Sequence, residues 1–151
     1  TAAGGDGPPF VAMNASAQDG DYIVRTSFGT MRREQTVDLI AAGYTAGLLD
    51  LAPTIRASDW FRERYSPDPY GVTVQLLDAS DAVIDEIVVT GTTPGSGATY
   101  TDDEWFEEQL VFQDYGPGVR KIRFQDEGED SEFWAGYFGV QIDNSSAMLC
   151  E

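Results

Sequence analysis

Apolar residues along this chain fall mainly at every second position, in short runs broken by glycine, proline, aspartate and asparagine. Val72-Thr-Val-Gln-Leu-Leu77 alternates cleanly, Asp78-Ala-Ser-Asp81 has turn chemistry, and Val83 to Thr90 reads as the returning arm of a hairpin. Tyr22 to Phe28 and Ile55 to Phe61 read as strands, the latter running into a polar loop from Arg62 to Tyr70 with Pro67 and Pro69. Thr36 to Ile40 is either a strand or one edge of a turn. From Glu104 to Phe112, Trp105, Glu107, Gln109 and Val111 share one face, and Phe106, Glu108, Leu110 and Phe112 the other. Tyr115-Gly-Pro-Gly118 is a turn, because Pro117 presets its φ and the glycines supply positive φ. After it, Val119, Lys121 and Arg123 alternate with Arg120, Ile122 and Phe124, and Tyr137 to Ile142 reads as the last strand.

Helix is scarce in this pattern. Gly43-Tyr44 through Leu51 suggests one short helical turn, with Tyr44, Leu48 and Leu49 on an apolar face. Residues 1–20, rich in Gly, Ala, Pro and Asp, read as an irregular arm in which Phe10-Val-Ala-Met13 is a short apolar run; residues 21–151 read as the domain. Many short strands separated by turns predict an all-β chain, an antiparallel β-sandwich. At 151 residues it forms one domain large enough to bury a core.

Charge and composition narrow the function. Against 26 carboxylates stand 9 basic groups, a net charge of −17, and Lys121 is the sole lysine. Such a surface repels phosphate backbones and anionic lipid, so nucleic-acid and membrane-surface roles are not expected. No run of eighteen apolar residues spans a membrane, and no signal peptide is visible, although a cleaved leader stays open. Histidine is absent, which removes the commonest general base, the usual zinc ligand and the usual partner of a nucleophilic serine. The chain is therefore expected not to be an enzyme, to carry no cofactor and to bind no metal. Cys150 has no second cysteine to pair with and reads as a frayed-end thiol or an intermolecular link.

The strings Thr36-Val-Asp-Leu39, Gly43-Tyr44, Leu48-Leu-Asp50, Ser58-Asp-Trp60, Val72 to Leu77 and Trp105, then Phe112 to Phe124, Asp130 to Gly139 and Asn144-Ser-Ser146, come in order over residues 20–148. With this spacing the chain closely resembles the F-box-associated domain, the sugar-binding domain of glycoprotein-recognising F-box proteins and of the nonspecific cytotoxic cell receptor. That resemblance implies a jelly-roll sandwich similar to galactose-binding domains, N-glycans or glycoproteins as partners, and a cytoplasmic location, with secretion left open. It also implies a first strand, before the match to Gly4-Gly-Asp-Gly7, that this chain does not show. An edge of the sandwich is then either open or covered by the N-terminal arm or another chain, and a homo-oligomer is left open.

The same resemblance points to the loop Asp130–Gly136. Members of that family place there an aromatic pair followed by a lysine, gripping the chitobiose core of a high-mannose glycan; the matching residues are Phe133, Trp134 and Ala135. A pyranose ring presents a face of C–H groups that lies flat on an indole, a contact of about 1 kcal/mol beyond area burial. Phe133 lacks a phenolic hydroxyl and Ala135 lacks the lysine's donor, so an altered glycan preference is expected. Trp134 could equally plug the end of the sandwich. Phe28 and a carboxylate after Asp59-Trp60 would complete the pocket. That loop is one residue short, so Asp68 is the nearest carboxylate and Ser66 the ungapped match. Read alone, Phe28 suits the core, and Asp68, between two prolines, suits a turn.

Other features read more plainly. Asp102-Asp-Glu104 and Asp126 to Asp130 are acidic clusters without an EF-hand register and suit solvated loops. Asn14-Ala-Ser16 and Asn144-Ser-Ser146 fit the glycosylation sequon, but the second lies where the family carries Asn-Ser-Ser and suggests strand-end hydrogen bonding. Trp60 and Trp105 read as core anchors. The expected function is a non-catalytic, lectin-like carbohydrate-binding domain. The alternative is a binding or scaffold protein on the same fold that has lost glycan recognition and holds another small molecule or a protein; a carboxylate-based hydrolase is a minor third reading. No F-box sequence is visible here, so this chain alone is not expected to recruit a ubiquitin ligase.

Overall fold

A computed structural model of the chain describes residues 10–13, 17–63, 66–94, 104–132 and 136–150. Among the described residues nine strands and one short helix follow one another: β1 Phe10–Met13, β2 Tyr22–Arg25, β3 Met31–Asp38, α1 Ala46–Leu49, β4 Thr54–Arg62, β5 Pro69–Leu77, β6 Val83–Thr92, β7 Phe106–Phe112, β8 Lys121–Gly128 and β9 Gln141–Cys150. They form two sheets, ordered β1-β2-β9-β4-β7 and β3-β8-β5-β6, in which paired strands run antiparallel. Apart from the β5–β6 hairpin, the chain changes sheet at each step from β2 to β9. Long crossings between sheets of this order make a jelly roll.

The period-two pattern becomes the core directly. On β4 the inward set is Ile55, Ala57, Asp59 and Phe61, all buried; on β5 it is Val72, Val74 and Leu76. Leu110 and Phe112 of β7 extend the β4 set, Ile122 of β8 extends the β5 set, and all belong to one core. Each of the large side chains fully removed from water stabilises the fold by roughly 1.5–3 kcal/mol. The α1 turn serves this core too. The hydroxyl of Thr45 caps it by accepting from the Leu48 N–H at 3.2 Å, and Leu49 is fully buried beneath. In the hairpin turn Asp78 Oδ1 accepts from the N–H groups of Ser80 and Ala82 at 2.7 and 3.0 Å, which lets Asp81 adopt φ 68°.

Several sequence expectations need correction. The last strand is not Tyr137–Ile142 but β9, which runs on through the serines to Cys150. Cys150 is consequently no frayed end: it pairs with Thr54 of β4 and is half-buried. Strand β2 stops at Arg25, because Thr26 and Ser27 turn their groups to the β8–β9 connection, leaving Phe28 in an isolated bridge with Asp130. Pro69 and Tyr70 open β5 rather than close a loop; Pro69 needs no N–H there, since it is the strand's first residue. Thr36 to Asp38 belongs to β3, and Leu39-Ile40 begins the turn after it. Trp60 and Trp105 are half-buried rather than core anchors, and Trp105 instead lies under the Arg62 guanidinium, 4.6 Å from its ring centre. Asp126 to Asp130 is no solvated loop either: it ends β8, with Asp126 and Asp130 buried. Residues 102 and 103 of the other acidic cluster, and the sequon at Asn14, lie outside the described residues.

Candidate functional site at one end of the sandwich

Strands β2, β4 and β8 finish, and β3, β5 and β9 begin, at the same end of the sandwich, since Arg25 pairs with Gln141, Arg62 with Gln141, and Gly128 with both Met31 and Tyr70. The β2–β3, β4–β5 and β8–β9 connections are thereby gathered there. Thr26 ties the first to the last, its N–H and hydroxyl both donating to the Val140 carbonyl at 3.0 Å. Ser27 continues the tie: its carbonyl accepts from the Asp130 N–H at 2.9 Å, and its hydroxyl donates to the Gly136 carbonyl at 3.0 Å. A side chain at Gly139 would collide with this crossing, its Cβ falling 2.6 Å from the Asp130 nitrogen and 2.7 Å from the Glu129 carbonyl oxygen.

Asp68 joins the β4–β5 connection to the β8–β9 connection at Ser131. It is only 1 % exposed, and its Oδ1 accepts from both the N–H and the hydroxyl of Ser131 at 2.9 Å. Its backbone is locked to Thr93, whose hydroxyl accepts from the Asp68 N–H at 2.9 Å and whose N–H donates back to the Asp68 carbonyl at 2.9 Å. Burial pushes the Asp68 carboxyl up to about 6, against the opposing pull of the two Ser131 bonds, with nearby Asp130 and Glu132 adding to the rise. Its second oxygen, Oδ2, is buried and has no hydrogen-bond partner among the described residues. The same holds for Ser66 Oγ, the ungapped match in that loop. A buried acceptor without a partner costs about 1–3 kcal/mol and is a natural point of attachment for a donor group.

Of the residues singled out in the sequence, Phe28 and Asp68 are brought to this one end, Phe28 half-buried beside Asp130 and Asp68 on the neighbouring Ser131. Phe133, Trp134 and Ala135 lie outside the described residues; the residues flanking them, Glu132 and Gly136, are held at the same end through Asp130 Oδ1 and Ser27 Oγ. Beside the loops a recess of about 350 Å³ opens between Thr30, Pro69, Thr90 and Glu129. Arg62 and Gln141 brace the floor, Arg62 Nε donating to Gln141 Oε1 at 2.9 Å.

One polar cluster was missed in the sequence. Asp59, fully buried in mid-β4, accepts from the Ser145 hydroxyl at 2.7 Å, and Ser145 stands beside Asp126, which Arg33 holds by a two-pronged ion pair with Nε at 2.8 Å. Burial, reinforced by the charge of Asp126, pushes the Asp59 carboxyl up to about 8. The signal was available: Asp59 occupies the inward parity of Ile55, Ala57 and Phe61. Ser145 reaches it through a bulge, where the β4–β9 register shifts between Ser58 and Trp60 and Asn144 takes φ 47°. Asn144-Ser-Ser146 thus serves hydrogen bonding in mid-strand, not at a strand end. Among the described residues no trio of Asp, Glu or Cys side chains is gathered as a metal ion requires.

The fold is shared with known carbohydrate-binding structures. The chain aligns over 97 % of its length with 86 % of TmCBM61, solved in complex with beta-1,4-galactotriose, at a TM-score of 0.58 and 15 % identity. It aligns over 97 % with 83 % of the CBM22-1 xylan-binding domain from Paenibacillus barcinonensis Xyn10C, at a TM-score of 0.51 and 15 % identity. At such identities the likeness is one of fold. Sequence relatives are nearer: F-box only protein 44 of Homo sapiens is 40 % identical over 131 residues, covering 82 % of this chain and 48 % of that protein. F-box only protein 6 of Bos taurus is 37 % identical over 126 residues, covering 82 % of this chain and 46 % of that protein. The chain spans about half the length of the curated relatives it matches. The family model described as F-box associated region matches residues 8–149, nearly the whole jelly roll with its gathered loops, so the chain belongs to that family.

Proposed function

We propose that this chain is a non-catalytic glycan-binding domain, with the chitobiose core of N-linked high-mannose glycans as its leading ligand and glycoproteins as its partners. The observation that carries this reading is Asp68 at the junction of the β4–β5 and β8–β9 connections: a buried carboxylate with one oxygen engaged by Ser131 and the other without a partner among the described residues, at the end where Phe28 bridges Asp130 and the flanks of residues 133–135 are anchored. Phe133 and Trp134 supply the aromatic shelf on which a sugar ring stacks, Phe28 closes one side, and Asp68 accepts from a sugar hydroxyl or an N-acetyl N–H. Ala135, where the resemblance implies a lysine, offers no donor. Membership of the family, and the carbohydrate complexes known for the same fold, support the ligand class. The reading places the domain in the cytoplasm, within a longer protein of F-box type.

A glycan array run with and without calcium tests it. Binding to chitobiose-containing glycans is expected, independent of calcium, and Trp134→Ala should weaken it by tenfold or more, about 1.4 kcal/mol, while the melting temperature holds. A well-folded protein silent on every glycan sinks this reading. The competing one, a family member that has lost glycan recognition and binds another small molecule or a protein, would then stand, as the substitutions at Phe133 and Ala135 suggest.

A further inference from the structure

The recess of about 350 Å³ beside the gathered loops is a product of strand parity. Tyr70 of β5 lies between Gly91 of β6 and Gly128 of β8, and it turns its ring inward onto Phe61, with 4.6 Å between ring centres. The outer surface of that row is therefore bare backbone. A row that points outward stands on either side. One row is Glu127, Gly71 and Thr90; the other is Glu129, Pro69 and Thr92. Gly71 carries no side chain, and Glu127 and Thr90 close over it, 3.2 and 3.4 Å from where a Cβ would lie. Thr30 completes the rim on the β3 side.

The same parity joins this recess to the candidate site. Asp68, Thr93 and Asp130 are buried at the end of the sandwich, and their immediate chain neighbours Pro69, Thr92 and Glu129 line the recess. The Glu129 N–H donates to the Pro69 carbonyl at 3.1 Å, which holds two of those neighbours together. Asp68 and the recess are thus one or two residue steps apart, roughly 3–7 Å. The polar groups of the recess are held but not saturated. Glu127 Oε2 accepts from Arg32 Nε and Nη2 at 3.0 and 2.7 Å, and Glu129 Oε2 accepts from the Thr30 hydroxyl at 2.6 Å. Among the described residues, Oε1 of both glutamates and the hydroxyls of Thr90 and Thr92 have no partner.

We propose that this recess is a second sugar subsite, taking the mannose branches of the same N-glycan whose chitobiose core the loop site holds; the inference rests on that glycan reading. A mannose unit is neutral and offers vicinal hydroxyls. A carboxylate anchored through one oxygen presents the other, already oriented, to an O–H donor, and such charge-assisted bonds are roughly twice as strong as neutral ones. A threonine hydroxyl both donates and accepts, so it serves a sugar hydroxyl or a ring oxygen alike. The net charge of −17 keeps phosphate and sulfate groups out. Arg32 already neutralises Glu127, which leaves a poor trap for a metal ion. Tyr70 turns its ring away, so the recess adds hydrogen bonds rather than a stacking platform. It acts on a branch already tethered by its core, whose local concentration is therefore high.

Calorimetric titration of the full chain with chitobiose, and with a high-mannose oligosaccharide carrying the same core, tests the subsite. The oligosaccharide should bind about fivefold more tightly or better. Thr90→Tyr fills the recess from an exposed position, on the row farther from the loops, and should cut that advantage to below about twofold. Glu127→Gln should at least halve it. Both variants should leave the chitobiose affinity and the melting temperature nearly unchanged. In NMR spectra the amide signals of Thr90 and Thr92 should move with the oligosaccharide and stay in place with chitobiose. An advantage that survives Thr90→Tyr overturns the subsite. So does a Thr90→Tyr protein that loses both ligands alike, which would make the recess part of the core site. Signals moved instead by a lysine-rich peptide would make a basic segment the occupant and overturn it too. Trp134→Ala should weaken both ligands while keeping their ratio. A wild-type chain that binds neither sugar sinks the loop site and this subsite with it, whereas chitobiose bound as tightly as the oligosaccharide sinks the subsite alone.

Discussion

Asp59 and Asp68 are carboxylates removed from water without a full set of partners, and both hold their protons more tightly folded than unfolded. The sign of the consequence follows from linkage. A group whose folded pKa is raised contributes stability that is complete below its unfolded value, near 3.8, and is lost as pH rises through the folded value. For Asp68 that loss runs from 3.8 to about 6, and for Asp59 from 3.8 to about 8, so only Asp59 contributes to the upper part of the range. The urea midpoint should therefore fall as pH is raised from about 5 to 9, by a stability change of about 1–2 kcal/mol or more. Asp59→Asn keeps an oxygen to accept from Ser145 and should flatten the upper part of that profile; Asp68→Asn should flatten the lower part. A wild-type profile that is level or rising over this range would contradict the assignment. Asp50 and Asp78 act oppositely, their carboxyls being lowered chiefly by side-chain bonds from Arg120 and Ser80, so their contribution is lost only under more acidic conditions. Asp59 was legible in the sequence from parity alone. Asp68 was not, because its burial depends on Ser131, 63 residues away.

At the scale of elements, the hairpin of β5 and β6 followed directly from alternation broken by an Asx turn, since every interaction that makes it is local. Strand β9 was harder to read. Its middle, Asn144-Ser-Ser-Ala147, has no apolar alternation, and pairing with β4 and the bulge that aims Ser145 at Asp59 make it a strand. Ser145→Ala removes that hydroxyl and leaves buried Asp59 Oδ1 short of a donor, for an expected cost of about 1–3 kcal/mol in urea unfolding. The crossing of β2 with the β8–β9 connection is held by close approach at Gly139. Gly139→Ala forces backbone atoms apart and should cost about 1–3 kcal/mol. Because the displaced atoms belong to Glu129 and Asp130, glycan binding should fall in the same variant, measured below its lowered melting temperature. A Gly139→Ala protein as stable as the parent would show the crossing to be looser than described.

The whole molecule carries its acidity unevenly. Arg32, Arg33, Arg120 and Lys121 are each already paired with a carboxylate, so the remaining surface is dominated by uncompensated negative charge. Self-repulsion of that kind destabilises the compact state and is screened by salt. Raising sodium chloride from about 20 to 300 mM, which shortens the screening length to below about 10 Å, should raise the melting temperature by a few degrees. A melting temperature that falls with salt would mean the ion pairs outweigh the repulsion. The two-sheet architecture was legible from strand count and turn spacing, whereas the order of strands within each sheet was not: spacing says where strands end, not which ones lie side by side.

Taken alone, the sequence determined the parity of the strands, many of the turns between them, a short helical turn between Gly43 and Leu51, and an excess of acid. These depend on neighbours within a few residues, where side-chain period and backbone preference act directly. Tertiary structure alone decided that Ser131 meets Asp68, that Ser145 meets Asp59 and Asp126, and that β9 pairs with β4 far beyond its two pairs with β2. Those outcomes are set by register and strand length across sheets, where segments distant in the chain must pack into one shared interior, and no local preference encodes that fit.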